Sequence, residues 1–167
     1  NEIIRKKGNK YMGCLQVVRA GVGDLSDIYK LEQECFSSPW PIEIIYEDLC
    51  ANRSQYFLLK DGSVTVGYAG ILMILDEVHI NKICVSPKYR GMGYGKYLMQ
   101  GILDSARHSG ADSLTLEVRR SNSAAISMYV DFGFQVEGIR KHYYEDTGED
   151  ALIMWKKGIA MEMEQQA

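Results

Sequence analysis

Apolar and polar positions along this chain repeat in two periods, and the switches between them mark out its elements. Residues 14–19 alternate weakly and predict a first strand. Asp24 stands as an N-cap before a helix whose apolar stripe is Leu25, Ile28, Leu31 and Cys35. Ser37-Ser38-Pro39-Trp40-Pro41 interrupts it, and 42–50 predicts a second short helix. The stretches 55–59 and 64–75 are rich in β-formers and flank Asp61-Gly62, a strong hairpin signal. Asp76-Glu77 predicts the next turn and 78–85 another strand. Tyr94, Leu98 and Ile102, with Met99, Leu103 and Ala106 alongside, predict a helix over 94–108 that Gly110 stops. Residues 113–118 alternate cleanly, with Leu114, Leu116 and Val118 on one face and Thr115 and Glu117 on the other. Ser121 or Asn122 caps a helix to Asp131, which Gly133 ends. Strands over 134–139 and 151–156 follow, joined by a polar stretch over 142–150. The order β-α-α-β-β-β-α-β-α-β-β predicts an α+β fold, a mixed sandwich around one sheet.

Length and composition narrow the function classes. With 167 residues, 46% hydrophobic and 25% charged, the chain has the size and make-up of a single globular domain. A net charge of −3 gives no reason to expect nucleic acid as a partner. The longest apolar run, 66–75, is shorter than the roughly 20 residues that span a bilayer, and residues 1–13 carry Arg5, Lys6, Lys7 and Lys10 without an apolar core. The expectation is a cytoplasmic protein with no membrane partner. Cys14, Cys35, Cys50 and Cys84 fall in no C-x-x-C pairing, so neither a zinc knuckle nor a disulfide framework is expected.

The most informative segment is Arg90-Gly91-Met92-Gly93-Tyr94-Gly95-Lys96, between a predicted strand and a predicted helix. A helix N-terminus leaves N–H groups unpaired, and glycines let the backbone curl around an anion, so phosphate is the natural guest. A Walker loop does not fit, because Gly91 to Gly95 is one residue short and Tyr97 stands where a magnesium-binding hydroxyl belongs. A dinucleotide fingerprint does not fit either, because the spacing is G-x-G-x-G and lies late in the chain.

The pattern R-x-x-G-x-G resembles the pyrophosphate loop of Gcn5-related (GNAT) acetyltransferases. Leu116-Glu117-Val118-Arg119-Arg120-Ser121-Asn122, leading through Ala125 to Tyr129 and Gly133-Phe134, is similar to the second signature of the protein N-terminal acetyltransferases in that family. Tyr143-Tyr144 followed by Gly148-Glu149-Asp150-Ala151 is similar to another of its segments, with Thr147 as an extra residue. Phe36-Ser37-Ser38-Pro39-Trp40 resembles the F-x-x-P-W of the bacterial RimI enzymes, which acetylate the N-terminal alanine of a ribosomal protein. The tail and His79-Ile80 look more like the archaeal and eukaryotic Ard type.

The resemblance implies a mostly antiparallel sheet of about seven strands, splayed at the co-substrate site and flanked by about four helices. Residues 1–12 would be an N-terminal extension, 13–158 the acetyltransferase domain and 159–167 a tail. Acetyl-CoA would be the acetyl donor, with no metal required. Protein N-termini, of a ribosomal protein or of nascent chains, would be the partners, with an auxiliary subunit as a further one. Ile83, Cys84 and Val85 would offer backbone groups to pantetheine. Arg90, Gly91, Met92, Gly93, Tyr94, Gly95, Lys96, Asn122 and Tyr129 would complete the coenzyme site. Phe36 and Trp40 on one side and His142, Tyr143 and Tyr144 on the other would hold the peptide.

The chemistry assigns roles within that set. A peptide α-amine of pKa about 7.7–8.0 is about a tenth neutral at pH 7, whereas a lysine side chain near 10.4 is neutral in only about one molecule in 2,500. An N-terminal substrate therefore needs one well-placed carboxylate. Glu117 is the expected base, by direct contact or through a water, provided partial burial raises its pKa; the alternative is a strand carboxylate balancing Arg119, Arg120 or Lys82. Tyr129 is the expected acid for the departing thiolate, the alternative being a core aromatic. His79 would share the base role, join Glu117 as one of two ligands to a divalent ion, which is thin support for a metal, or serve structurally. Cys84 is a buried core residue in this reading, and Asn122 either contacts coenzyme A or only caps its helix. Two alternatives stand beside α-amine acetylation: transfer to lysine side chains or small amines, and a coenzyme A-binding module without turnover.

Overall fold

The computed structural model describes residues 14–160, and the expected N-terminal extension over 1–12 lies outside them. Seven strands and four α-helices follow the predicted order: β1 (Leu15–Arg19), α1 (Leu25–Cys35), α2 (Ile42–Cys50), β2 (Ser54–Asp61), β3 (Val64–Ile74), β4 (Glu77–Val85), α3 (Tyr94–His108), β5 (Ser113–Arg119), α4 (Ser123–Asp131), β6 (Gln135–Tyr144) and β7 (Glu149–Lys157). Hydrogen bonds join the strands in the order β1-β2-β3-β4-β5-β7-β6. The pairs β1–β2, β5–β7 and β6–β7 are antiparallel and β4–β5 is parallel, the mixed α+β arrangement that the sequence predicts. The β4–β5 ladder runs over four pairs, from Glu77–Ser113 to Ile80–Leu116. Beyond it β4 continues to Val85 and β5 to Arg119.

Two compact units make up the described chain. The first holds the residues up to Ile71 together with Lys82–Leu103; the second holds Leu72–Asn81 and the residues from Asp104 onward. In the first, Ile28 and Leu31 of α1 and Ile45 of α2 are buried with Tyr56, Leu58, Tyr68 and Cys84. Gly67 is required there, since a Cβ on it would lie 2.6 Å from the Cys84 carbonyl oxygen. In the second, β5 is buried on both faces from Ser113 to Leu116, and Tyr129, Phe134 and Met154 are buried with it. The packed chain reaches Ile159, which is fully buried and donates its amide to the Asp112 carbonyl at 3.1 Å. Among the described residues no helix is long and apolar enough to cross a membrane.

Three local expectations change. The Asp24 side chain does not cap α1; its Oδ2 accepts the Gly21 amide at 3.0 Å and closes the short 3-10 turn that precedes the helix. The turn after β3 comes one residue earlier than Asp76-Glu77: it is made by Leu75, 94% exposed at φ +57°, and Asp76, and Glu77 already belongs to β4. The polar stretch over 142–150 is mostly strand: β6 runs to Tyr144 and β7 starts at Glu149. A register shift between Arg140 and Tyr144 puts His142 in the left-handed region, at φ +53°.

Candidate active site

The glycine loop sits where the sequence places it, in the first unit, between β4 and α3. Gly91 and Gly93 have φ of +75° and +77°, and a Cβ on either would meet no atom within 4 Å. The glycines are therefore demanded by backbone direction, and the space in front of them is open, as a cradle for an anion at a helix N-terminus requires. Arg90 is anchored by its Nε donating to the Val85 carbonyl at 3.1 Å. Tyr94 turns inward: it is buried, donates to Asp61 Oδ2 at 3.0 Å and stacks on Tyr89 at 6.1 Å. Its hydroxyl and ring are thus engaged within the protein. Met92 and Lys96 are exposed. On β4, Ile83 and Val85 are half-buried, and Cys84 is buried with its thiol pushed up by burial, which suits a core residue rather than a nucleophile.

The same unit contains a cluster that the sequence reading missed. Glu32, on α1, has no exposed surface. Its Oε1 accepts the Lys82 ammonium at 2.8 Å and the Trp40 amide at 2.8 Å, and its Oε2 accepts the Tyr68 hydroxyl. Lys82 Nζ also lies over the faces of Phe36 and Trp40, 4.0 and 4.6 Å from the ring centroids. The two expected peptide-wall aromatics are thus held against a cation. Two signals were available. Glu32 follows Ile28 by four residues and so falls on the helix's inner stripe, and Lys82 falls in the inward alternation Val78, Ile80, Lys82, Cys84 of β4.

In the second unit, β5, α4 and the β6–β7 hairpin assemble the expected catalytic residues. Glu117 keeps 31% of its side chain exposed and accepts Arg140 Nε at 3.1 Å, so its partner is Arg140, not Arg119, Arg120 or Lys82. Tyr129 is 5% exposed and leans on Phe134 with ring centroids 5.9 Å apart. Burial, then the charge of Tyr144, pushes its phenol well above the usual tyrosine range. Tyr144 is half-buried, and burial, with the charges of Tyr143, Glu117 and Glu149, pushes it up to about 12 against the pull of Arg119. Tyr144 lies under Arg119, which shares a face of β5 with Glu117 two residues before it.

The hairpin is braced by Arg119. Its guanidinium lies 3.9 Å over the Tyr144 ring, bonds both Asp146 carboxylate oxygens at 2.8 Å and donates to Thr147 Oγ1 at 2.8 Å. Glu149 accepts the Ser121 amide at 2.6 Å, tying the hairpin to the start of α4. Thr147, the extra residue of this segment, is therefore part of the brace. Asn122 caps α4 by accepting the Ala125 amide at 3.2 Å, which leaves the NH2 end of its amide as the part that would meet a ligand. Tyr143 is exposed and meets Tyr144 edge to face at 5.2 Å. His142 is exposed, with its amide on Asp150 Oδ1 and Nδ1 against the Gly148 carbonyl, both at 3.0 Å. His79 pairs with Glu77 at 3.3 Å and sets its ring edge-on to Trp155 at 6.5 Å. Among the described residues no three His, Cys, Asp or Glu side chains are grouped to hold a metal ion.

Comparisons with known proteins fit this assembly. The acetyltransferase (GNAT) family matches residues 25–134. A Bacillus subtilis protein is 41% identical over 134 residues, 79% of this chain and 88% of its own length. The ribosomal protein bS18-alanine N-acetyltransferase of Escherichia coli (strain K12) is 35% identical over 133 residues, 78% of this chain and 89% of its own. The crystal structure of the ribosomal-protein-S18-alanine N-acetyltransferase from Escherichia coli superposes with a TM-score of 0.81 at 32% identity, covering 86% of this chain and 94% of that one. Ard1 from Thermoplasma volcanium shares the fold, with a TM-score of 0.78 at 23% identity over 86% of this chain and 97% of that one.

Proposed function

This chain belongs to the acetyltransferase (GNAT) family, and on that premise we propose a mechanism and a substrate class for it. It is an N-terminal acetyltransferase, moving an acetyl group from acetyl-CoA to a free protein α-amine. The preferred substrate in this reading is a ribosomal protein with N-terminal alanine, as the names of its relatives say of them, and a cytoplasmic location goes with that substrate.

The open turn at Gly91 and Gly93 supports a diphosphate cradle, with Arg90 at its mouth and the first amides of α3 as donors. The backbone of Ile83, Cys84 and Val85 would run beside the pantetheine arm as an added strand does, and the NH2 of Asn122 would add a donor. Acetyl-CoA supplies an acyl carbon already activated as a thioester. Glu117 takes the proton from the α-ammonium, by way of a water, so that a neutral nitrogen forms the new C–N bond. Tyr129 gives its phenolic proton to the sulfur as the C–S bond breaks, and the cationic nitrogen of the new amide loses its second proton through water, which restores the phenol. The raised pKa of Tyr129 keeps the phenolic proton in place across the working range. Tyr143 and Tyr144 hold the peptide backbone, with Arg119 and the hairpin brace keeping Tyr144 in position. His79, committed to Glu77 and Trp155, supports the strand that carries it.

The observation that carries this reading is how β5, α4 and the hairpin arrange three side chains: a part-exposed carboxylate at Glu117, the Tyr144 ring under Arg119 two residues further along the same face of that strand, and the buried phenol of Tyr129 on the helix that follows. The test is a panel of free-amine peptides led by Ala, Ser, Met and Glu, beside an acetyl-blocked peptide bearing lysine, each assayed with acetyl-CoA. Acetylation of the Ala-led peptide and not of the blocked one is expected, and the reverse order would replace this reading with side-chain acetylation. The double change Glu117→Gln, Tyr129→Phe should abolish turnover while coenzyme A still binds; an unchanged rate would refute the roles given.

A further inference from the structure

Lys82 is nearly withdrawn from water, with 11% of its side chain exposed, and its counter-ion Glu32 is withdrawn completely. Two such charges cost free energy to bury, and attraction repays that cost only when geometry and hydrogen bonding are good. Here the carboxylate takes three donors, from Tyr68, Lys82 and the Trp40 backbone, while the ammonium faces two rings. Trp40 is consequently fixed twice, through its amide on Glu32 and through its indole on Lys82. Phe36 is fixed by its ring. Between them Ser37 and Ser38 are exposed and Pro39 is half-buried, and both rings rest with their remaining faces against the core of the first unit.

We infer that Lys82 and Glu32 are positioning residues which set the Phe36–Trp40 wall and thereby the enzyme's preference for a small first residue. This rests on the reading of Phe36 and Trp40 as the wall beside the peptide terminus. An apolar side chain at 82 would touch the same rings and let them slide, because dispersion has no preferred point on a ring face, whereas an ammonium is drawn to the face itself. Lys82 also directly precedes Ile83–Val85, the segment assigned to pantetheine. The same strand therefore registers the wall against the co-substrate, and a first side chain larger than the gap has no room to displace two rings pinned by a buried charge.

The test uses the full chain with two variants. Lys82→Gln keeps a donor for Glu32 without the cation. Glu32→Gln combined with Lys82→Met removes both charges together, so no buried ion is left unpaired. Trp40 and Trp155 are the 2 tryptophans, and in a Trp155→Phe background Trp40 emission reports the wall directly. Both variants should melt cooperatively, and acrylamide quenching of Trp40 should rise about twofold as the ring leaves its cation. The KM for the Ala-led peptide should rise about tenfold with kcat within about threefold, and the kcat/KM ratio of Ala-led to Leu-led peptide should fall about fivefold. Lys82→Arg, which keeps a ring-facing cation, should restore most of that ratio. Affinity for coenzyme A should stay within about twofold of the parent. A folded variant with Trp40 quenching and the Ala-to-Leu ratio unchanged overturns the inference. If the parent enzyme acetylates no free α-amine at all, the functional reading fails instead, and Trp40 quenching alone then decides whether the charge pair places the wall.

Discussion

The acid role proposed for Tyr129 makes a heavy demand on one side chain: it must be buried enough to keep its proton and close enough to a sulfur to give it away. Its 5% exposure and the rise of its pKa answer the first demand. Removing only the hydroxyl, in Tyr129→Phe, should lower kcat by about 10²-fold or more and leave the peptide KM nearly unchanged, since general acids contribute about 10²–10⁴-fold. The pH profile follows in sign. kcat/KM should rise through the α-amine value of about 7.7–8.0 and then hold level past about 10, where an ordinary tyrosine would already be losing its proton. Steady-state rates from pH 6 to 10.5 check both statements; a fall beginning near pH 9 would mean that another group supplies the proton. Gly93 makes the complementary case. Gly93→Ala meets no atom, so its cost is the left-handed backbone alone, about 1–2 kcal/mol, and thermal melts together with calorimetric titration of coenzyme A should show loss of both stability and affinity.

At the scale of elements, backbone collision replaces backbone direction. Gly67 on β3 has the Cys84 carbonyl 2.6 Å from where its Cβ would stand, so Gly67→Ala must part β3 from β4, at about 1–3 kcal/mol, in contrast to the collision-free change at Gly93. Capping works at the same scale. Asn122→Ala should cost about 1 kcal/mol in urea unfolding, while Asn122→Asp should restore the cap and the stability. If the NH2 of Asn122 also meets the coenzyme, only the stability is restored by Asp and the affinity is not. The helices were legible because their stripes repeat every three to four residues, and β5 because Leu114, Leu116 and Val118 alternate with Thr115 and Glu117. The end of the β6–β7 hairpin was not. From Arg140 to Tyr143 its side chains are exposed, and the strands are held there by backbone pairing, Arg119 and Lys141–Asp150, none of which leaves an apolar period to read. Glu32 and Lys82 escaped for the opposite reason. Each occupies a position whose period says inside, where a charge in place of an apolar residue interrupts the stripe.

For the molecule as a whole, length and charge bounded the reading and the motifs supplied the family, but neither shows how many phenols the fold withdraws from water. Tyr56, Tyr68, Tyr94 and Tyr129 are all under 6% exposed, and each is pushed above the usual tyrosine range, chiefly by burial, as is the half-buried Tyr144. For Tyr56 and Tyr68 the carboxylates they bond, Asp48 and Glu32, push in the same direction. A phenol whose folded pKa exceeds its unfolded one is protonated in both states below about pH 10, so stability there does not depend on it. Above that pH the unfolded chain releases the proton and the folded chain does not, so stability falls by about 1.4 kcal/mol per pH unit for each such phenol. These five phenols give a combined slope of up to about 7 kcal/mol per pH unit beyond pH 10. On the acid side, Glu149 and Asp150 have folded pKa values lowered by the Ser121 amide and by Lys141 respectively, so what they contribute persists until the pH falls through the lower end of the carboxylate range. The expected profile is therefore level from about pH 6 to 9.5 and steep on the alkaline side, as urea unfolding at half-unit pH steps will show. Tyr68→Phe, which removes a phenol and leaves the ring, should make the alkaline limb shallower by about a fifth; a limb that keeps its slope in that variant would mean that the buried phenols are not its source.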